Sequence, residues 1–211
     1  MTAVLFDLDG TLLDTLDDLA DAVNHTLAHF GCPSRTREEV RQFVGNGARR
    51  LIRLALPDSE DAPDAEKVLD YFKTYYAAHS QIKTCPYAGV LEAVEAVKKE
   101  YPVAIVSNKP DQAVKLLCKA YFGDVYALGE SGDCPRKPAP DMVHKAMKTI
   151  GADRCIYVGD SEVDVETARN AGVPCLSVLW GFRDLDTLKE AGATHFCETP
   201  ADLLKILKEM I

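Results

Sequence analysis

Two carboxylates near the start of the chain are the residues most suggestive of chemistry. Asp7 and Asp9 stand two residues apart in the sequence FDLDGT, directly after the apolar run Thr2–Phe6. A buried strand has no general use for a carboxylate, because burial of an unpaired charge is costly. Asp9-Gly10 is also a common turn pair, which accounts for Asp9 but leaves Asp7 unexplained. Taken alone, the pair is compatible with a turn and with a reactive site.

Three further polar segments occur where later apolar runs end or where the next helical pattern begins. They contain Ser107 and Asn108, then Lys137, and finally Asp160 and Asp164. Each has an ordinary explanation as a helix cap, a solvated loop residue or a turn. Together with Asp7, however, all of them lie beyond the carboxyl ends of expected strands. That is the edge at which open α/β sheets bind ligands.

Short apolar runs rich in β-branched residues supply the strands that must position these side chains. Most are continuous rather than alternating, as expected for strands buried on both faces of a parallel sheet. Helical patterns separate the later runs, so the sequence predicts a doubly wound α/β domain. The predicted strands cover 2–6, 103–107, 124–128, 154–158, 174–178 and 194–197. The predicted helices between and after them cover 111–121, 140–150, 161–171 and a segment from Pro200.

The segment 15–83 interrupts this alternation of strand and helix. It contains helical patterns at 16–30, 36–44, 48–56 and 62–80, with no convincing strand among them. We therefore predict an α/β core formed by residues 1–14 and 84–211. An all-helical domain, residues 15–83, is inserted after the first strand.

Composition is that of an ordinary globular protein and excludes several classes. Of 211 residues, 47% are hydrophobic and 27% charged, and 24 basic against 33 acidic residues give a net charge of −9. A chain this acidic is a poor candidate for binding a phosphate backbone, so no nucleic acid is expected. No apolar run approaches the ~20 residues of a membrane span, and no basic segment precedes the first apolar run. The 7 cysteines lack a CxxC pair, which suggests free thiols and a cytoplasmic setting.

The four motifs, taken in order, resemble those of the haloacid dehalogenase superfamily of phosphohydrolases. They read FDLDGTLLDT, VSN, RKPAPD and GDSEVD, and a helical insert after the first motif is similar to the first cap class of that superfamily. The resemblance spans essentially the whole chain. It implies a Rossmann-like, mostly parallel sheet of strand order 3-2-1-4-5, in which Asp7, Ser107 and Asp160 would converge.

Electrostatics requires a cation at such a site. Two like charges ~4 Å apart at an effective dielectric of ~20 repel by about 4 kcal/mol. A phosphate would face four carboxylates with Lys137 as the only cation. A divalent ion is therefore expected, and oxygen-only ligands with a phosphate substrate favour Mg²⁺.

The resemblance also implies a role for each motif residue. Asp7 would be the nucleophile that forms an aspartyl-phosphate, and Asp9 the general acid and then the general base. The groups implied to hold the phosphate oxygens are Ser107, the backbone near Asn108, and Lys137. The implied Mg²⁺ ligands are Asp7, the carbonyl of Asp9, Asp160 and Asp164, the last either directly or through another ligand.

The insert is expected to select the leaving group of a small phosphorylated metabolite. Gly45, Asn46 and Gly47 stand between two helical patterns, where free backbone N–H groups beside Arg49 could bind an anion. A plain helix–helix turn is the other interpretation. The segment VGNG and the tripeptide WGF at 180–182 resemble those of phosphoglycolate phosphatases, which implies 2-phosphoglycolate as the substrate.

The same motifs are compatible with other functions. Within the same superfamily they are a sugar-phosphate phosphatase, a β-phosphoglucomutase-like phosphotransferase and a pyrophosphatase. A non-catalytic receiver-type phosphoacceptor is a more distant alternative, because its paired acids are adjacent and its phosphorylated Asp follows the third strand. The sequence is compatible with a monomer or a homodimer.

Overall fold

The structure, a computed structural model, describes every residue from Met1 to Ile211. The chain divides into two compact units. The core unit comprises Met1–Asp14 and Pro86–Ile211, and the helical unit comprises Thr15–Cys85. The sequence predicts an insert at 15–83, so the observed helical unit starts at the same residue and ends two residues later.

The secondary structure alternates between strands and helices in the core unit and is helical in the insert. In chain order the elements are β1 (Thr2–Phe6), β2 (Leu13–Asp14), α1 (Leu16–His29), α2 (Arg37–Phe43), α3 (Gly47–Ala55), α4 (Ala65–His79), β3 (Cys85–Pro86), α5 (Val90–Lys98), β4 (Val103–Pro110), α6 (Asp111–Phe122), β5 (Tyr126–Glu130), α7 (Asp141–Thr149), β6 (Arg154–Gly159), α8 (Glu162–Ala171), β7 (Cys175–Val178), α9 (Leu185–Glu190), β8 (His195–Cys197), a 3₁₀ turn (Pro200–Asp202) and α10 (Leu203–Met210). None of these helices has the length and apolar character needed to cross a membrane.

The main sheet has the strand order β5-β4-β1-β6-β7-β8, and each neighbouring pair is parallel. This confirms the predicted doubly wound α/β fold and its strand order, with β8 added at one edge. Phe6, the last residue of β1, lies opposite Ile105 of β4 and Val158 of β6. The three strands therefore end at one edge, at the crevice where the strand order reverses.

Both faces of the sheet are covered, which explains the continuous apolar runs. Val4 and Phe6 of β1 join a buried cluster with α5, α6 and α10. Ala3 and Leu5, whose side chains alternate with those two, join a second cluster with α7 and α8. The strand that carries the first motif is thus anchored on both sides.

Two departures from the sequence prediction concern the strands and helices that flank the core sheet. The third strand of the core begins at Tyr126 rather than at 124, because Gly123 turns the chain with a φ of 71° after α6. Helices α5 and α9 were absent from the prediction. They have 9 and 6 residues respectively, and a helix of 6 residues is too short to present a long periodic pattern.

The seven cysteines are all free thiols, as the sequence suggests. Burial raises the pKa of Cys155 and Cys175 to about 12. Thiols of this kind are unreactive and behave as small apolar side chains.

In the helical unit, α1 and α4 are joined by a column of aromatic rings. Ring centroids lie 4.1 Å apart for His29 and Tyr71, 3.8 Å for His25 and Tyr75, and 3.9 Å for Tyr75 and His79. The ring planes are within 12° of parallel in these pairs. The histidines of α1 are therefore part of the packing between two helices.

The last residues of the helical unit are tied to α1 by the carboxylate of Asp18. That side chain is buried and accepts hydrogen bonds from the backbone N–H groups of Ile82, Lys83 and Thr84 at 3.0, 2.9 and 2.9 Å. Hydrogen bonds to a charged acceptor contribute more than neutral ones. The segment before Cys85 is consequently fixed to the start of the unit.

Candidate active site

The first motif leaves β1 through a tight turn. Asp7 donates its backbone N–H to the carbonyl of Val158 at 2.8 Å, which continues the pairing of β1 with β6. Leu13 donates to the carbonyl of Leu8 at 3.0 Å, and Gly10 takes a φ of 83°. Glycine suits that left-handed conformation because it lacks a Cβ. The turn keeps both carboxylates of the motif at the end of the strand.

Three buried carboxylates converge beside this turn. Oxygens of Asp7, Asp160 and Asp164 all lie within 4.8 Å of one another. The ammonium of Lys137 is 2.9 Å from Asp7 Oδ1 and 2.8 Å from Asp164 Oδ1. One ammonium against three carboxylates leaves an excess of negative charge where water has little access.

Burial of these side chains, together with their mutual charges, shifts their pKa values. Burial, followed by the charge of Asp164, raises the pKa of Asp7 well above its usual range, although Lys137 opposes the shift. The same two causes raise the pKa of Asp160 to about 7. Burial lowers the pKa of Lys137, but the carboxylates of Asp164 and Asp7 outweigh it, so the pKa is raised overall. The lysine stays charged, and the acids are short of positive neighbours.

The acidic cluster fits a divalent cation held by oxygen ligands. Asp7 Oδ1 is buried, and its close contact is the ionic one with Lys137 at 2.9 Å. Hard carboxylate oxygens with excess negative charge are the donors that Mg²⁺ prefers. The side chain of Asp9 lies outside the cluster, so a contribution from Asp9 would come from its carbonyl.

Asp160 is held by residues from the β1 turn and from the loop after β7. Thr11 Oγ1 donates to Asp160 Oδ1 at 2.9 Å, and the backbone N–H of Phe182 donates to Oδ2 at 2.8 Å. A Cβ on Gly181 would lie 2.3 Å from the Cβ of Asp160, so only glycine fits there. Trp180 Nε1 donates to the carbonyl of Thr11 at 2.9 Å. The tripeptide WGF therefore encloses Asp160.

Asp164 caps its own helix and also accepts a hydrogen bond from Lys137. Its Oδ2 accepts hydrogen bonds from the backbone N–H and the Oγ of Ser161 at 3.1 and 2.7 Å, which caps α8. Its Oδ1 accepts a hydrogen bond from Lys137. Both oxygens are thus hydrogen-bonded within the protein.

Lys137 has a third neighbour that the sequence analysis missed. Its Nζ donates to the hydroxyl of Tyr157 at 2.9 Å, and that hydroxyl donates to the carbonyl of Val106 at 3.2 Å. Tyr157 is completely buried in β6. The sequence does contain one signal for this contact, which is a tyrosine in a strand covered on both faces. Its hydroxyl needs a buried hydrogen-bond partner.

Ser107 and Asn108 follow the apolar part of β4. Ser107 is buried, and its Oγ accepts a hydrogen bond from the backbone N–H of Lys109 at 3.2 Å. Asn108 uses its side-chain amide on the backbone of Lys137, with Nδ2 to the carbonyl at 2.9 Å and Oδ1 to the N–H at 2.8 Å. The side-chain amide of Asn108 thereby binds the backbone of Lys137 at both its N–H and its carbonyl.

A second buried lysine corrects the expectation that Lys137 is the only cation at the site. Lys109 Nζ lies 2.8 Å from Asp9 Oδ1, and the two side chains are 2% and 15% exposed. The predicted strand ended at Ser107, whereas β4 continues to Pro110 and carries Lys109 into the interior. Without that extension, the lysine after VSN resembled an ordinary loop residue.

The predicted anion-binding segment is a turn between α2 and α3 in the helical unit. Gly45 and Gly47 have φ values of 120° and 78°, and Asn46 caps α3 without a side-chain hydrogen bond. Arg49 forms an ion pair with Glu66 of α4. The guanidinium is therefore shared with a carboxylate of its own unit, which the sequence did not indicate.

Comparison with known proteins identifies the class of this chain. Residues 4–178 match the haloacid dehalogenase-like hydrolase family. The chain belongs to this family, as its four motifs suggested, and it is a phosphatase of that family.

Several relatives match over nearly the whole chain. A phosphoglycolate phosphatase from Pseudomonas syringae pv. tomato is 36% identical over 99% of this chain and 78% of its own. One from Mesorhizobium japonicum is 34% identical over 86% of this chain and 84% of its own. A solved structure of a "predicted phosphoglycolate phosphatase" from Haemophilus somnus has a TM-score of 0.85 and 28% identity, and covers 97% of this chain and 96% of that one.

Proposed function

We propose that the protein is a Mg²⁺-dependent phosphomonoesterase that hydrolyses 2-phosphoglycolate to glycolate and phosphate through an aspartyl-phosphate. The observation that carries the proposal is the position of Asp7. Its carboxylate is buried at the end of β1, one oxygen lacks a hydrogen-bond donor, and Lys137 lies 2.9 Å away. A carboxylate poised in this way is suited to attack phosphorus rather than to stabilise the fold.

In the first step an oxygen of Asp7 attacks phosphorus, and the bond between phosphorus and the leaving oxygen breaks. The leaving alkoxide takes the proton of the Asp9 carboxyl group and departs as an alcohol. The products of this step are the acyl phosphate on Asp7 and the carboxylate of Asp9.

In the second step a water molecule attacks the phosphorus and gives its proton to Asp9. The bond between phosphorus and Asp7 breaks, and inorganic phosphate leaves. Asp7 and Asp9 return to their initial protonation states, so one water is consumed in each cycle.

The transferred group carries negative charge that the site must balance. We assign its oxygens to the hydroxyl of Ser107, the backbone N–H near Asn108 and the ammonium of Lys137. When bound, Mg²⁺ would offset the repulsion between the phosphate and the attacking carboxylate. The ligands proposed for it are Asp7, the carbonyl of Asp9, Asp160 and Asp164.

The choice of 2-phosphoglycolate is supported by the names of the full-length relatives. It is also supported by the Gly45–Gly47 turn, where the first backbone N–H groups of α3 have no side-chain cap. Backbone N–H groups at a helix start favour anions. We propose that this turn, together with Arg49, binds the carboxylate of the substrate.

The test is phosphate release from a panel of compounds, each with Mg²⁺ and again with excess EDTA. The panel holds 2-phosphoglycolate, glucose 1- and 6-phosphates, pyrophosphate, nucleotides and an aryl phosphate. We expect metal-dependent release that is greatest for 2-phosphoglycolate. Asp7→Asn should abolish it with the fold intact, whereas Asp186→Asn, at an exposed position of α9, should not. Release of phosphate by Asp7→Asn at an appreciable rate would overturn the mechanism.

The carboxylate site is tested separately by comparing two variants of one ion pair. Arg49→Ala removes the guanidinium, and Glu66→Ala breaks the same ion pair but leaves the guanidinium in place. We expect Arg49→Ala to raise KM for 2-phosphoglycolate more than KM for an aryl phosphate. Glu66→Ala should leave KM unchanged for both substrates. Equal effects of Arg49→Ala on both substrates would argue against carboxylate binding by this residue.

A further inference from the structure

The ion pair between Lys109 and Asp9 carries an inference that rests on the function proposed above. We propose that Lys109 is a positioning residue, which fixes the carboxyl group of Asp9 for its two proton transfers. None of the four motifs assigns a role to this lysine.

The geometry separates the two oxygens of Asp9. Lys109 Nζ donates a hydrogen bond of 2.8 Å to Oδ1. At 2% exposure the lysine side chain lies deeper than the carboxylate, which is 15% exposed. The ammonium therefore holds Asp9 by Oδ1 from the more buried side, and Oδ2 is not the oxygen that it contacts.

The backbone of β4 explains why Lys109 can reach Asp9. Residues 107–109 lie where the pairing of β4 with β5 shifts register, and the side chain of Asn108 is hydrogen-bonded to the backbone of Lys137. Lys109 is the next residue, and its own N–H is bonded to Ser107 Oγ at 3.2 Å. Two consecutive residues of β4 thus bind the two ionisable residues that the mechanism needs: Asn108 binds the backbone of Lys137, and Lys109 binds the side chain of Asp9.

A carboxyl group on a short side chain can rotate about two bonds unless something holds it. An ammonium with almost no access to water needs buried polar partners, and Asp9 Oδ1 supplies one at 2.8 Å whether or not Oδ2 carries a proton. Anchoring Oδ1 in this way restricts where Oδ2 can lie. Proton transfer depends on such placement, because donor and acceptor must come within hydrogen-bond reach.

The experiment compares leaving groups in single turnover, with enzyme in excess over substrate. An alkoxide must receive a proton to depart, whereas 4-nitrophenolate leaves without one. For Lys109→Met, which keeps the length of the side chain without its charge, we expect glycolate release from 2-phosphoglycolate to slow about 100-fold, the scale of general acid catalysis. Release of 4-nitrophenolate should slow less than about threefold in the same variant.

A double-mutant cycle then asks whether Lys109 acts through Asp9. If it does, Lys109→Met combined with Asp9→Asn is no slower on 2-phosphoglycolate than Asp9→Asn alone. Lys109→Gln, which retains an N–H donor, should recover part of the rate lost in Lys109→Met. The matched control is Lys115→Met, which breaks the exposed pair of Lys115 with Asp111 on α6 and should change neither rate. Thermal unfolding of every variant confirms that the fold is retained.

Equal slowing of both leaving groups, or rate losses that multiply in the double variant, would overturn the inference. A folded Lys109→Gln as slow as Lys109→Met would count against it as well. If the wild-type protein releases phosphate from no monoester, it is the proposed function that fails. If 2-phosphoglycolate alone is not hydrolysed, the best alkyl phosphate of the panel takes its place in the same comparison.

Discussion

The hydroxyl of Tyr157 connects the ammonium of Lys137 to the carbonyl of Val106 through hydrogen bonds of 2.9 and 3.2 Å. The connection runs from the loop before α7, through β6, to the residue that precedes Ser107 on β4. Since Lys137 and Tyr157 are both buried, no water can replace a missing partner. The hydroxyl therefore fixes the position of Lys137 relative to the strand β4 that carries Ser107.

Replacement of Tyr157 by Phe should harm catalysis and stability together. It removes a hydrogen bond from a buried carbonyl and leaves one N–H of the ammonium without a partner, at a cost of about 1–3 kcal/mol. We expect a lower unfolding midpoint and a kcat reduced about tenfold or more. Tyr126→Phe is the matched control, because no hydrogen bond involves the hydroxyl of this half-buried tyrosine on β5. Wild-type kinetics in Tyr157→Phe would contradict the assignment.

The paired hydrogen bonds between Asn108 and the backbone of Lys137 yield a second prediction. Asn108→Leu keeps the volume but removes both bonds, each of which contributes roughly 1 kcal/mol when buried. We expect kcat to fall at least tenfold because the lysine loses its fixed position. The control is Asn170→Ala, which removes an exposed hydrogen bond of 2.9 Å to the carbonyl of Pro138 in the same loop. Its effect on kcat should be less than about twofold.

Gly181 should tolerate no side chain. A Cβ at this position would meet the Cβ of Asp160 at 2.3 Å and the carbonyl oxygen of Gly10 at 2.4 Å. Gly181→Ala therefore has to displace Asp160, and we expect weaker Mg²⁺ binding, measured by titration calorimetry, together with lost activity. Gly151→Ala strains a left-handed turn in open space, with a φ of 70°. It should lower stability without changing Mg²⁺ affinity, which separates the two effects.

The acidic cluster predicts that stabilisation by Mg²⁺ grows with pH. In the folded protein without metal, the pKa of Asp160 is raised from 3.8 to about 7. Between these two values the folded state binds more protons than the unfolded state. This group therefore makes the metal-free protein less stable as pH rises through that range. Bound Mg²⁺ needs the ionised carboxylate, so it should raise the unfolding midpoint more at about pH 7.5 than at about pH 5.5.

This prediction is measured by thermal unfolding with Mg²⁺ or EDTA at the two pH values. Sodium chloride of equal ionic strength controls for general screening. Asp160→Asn removes the titrating group, and the pH dependence of the Mg²⁺ effect should shrink in that variant. An equal increase in midpoint at both pH values would contradict the assignment of Asp160 to the metal site.

Much of the fold could be read from the sequence because burial leaves a strong pattern. A strand such as β1, apolar on both faces, has few alternatives to the middle of a parallel sheet. The helical insert stood out for the opposite reason, since its apolar residues recur with helical spacing. Local turns were less readable, and Gly123 shifted the start of β5 by two residues.

The site was readable only where a residue's role follows from its place at a strand end. Asp7, Ser107 and Asp160 follow neighbouring strand ends because β1, β4 and β6 end at one edge. A residue whose partner depends on its burial, or on a contact far away in the sequence, has no such sequence signal. Lys109 is one example. The same holds for the pairing of Arg49 with Glu66, because two exposed charges on different helices can meet in many ways.

An ammonium has three N–H groups, and the neighbours of Lys137 number three as well: Asp7, Asp164 and Tyr157. A phosphate oxygen would therefore compete with the resident carboxylates for this lysine. At the proposed site, a divalent cation that attracted those carboxylates would free the lysine for the anion, and an anion that drew the lysine away would expose the carboxylates to the cation. Affinity for one ion would then be linked to occupancy by the other, and by reciprocity each would strengthen the binding of its counterpart.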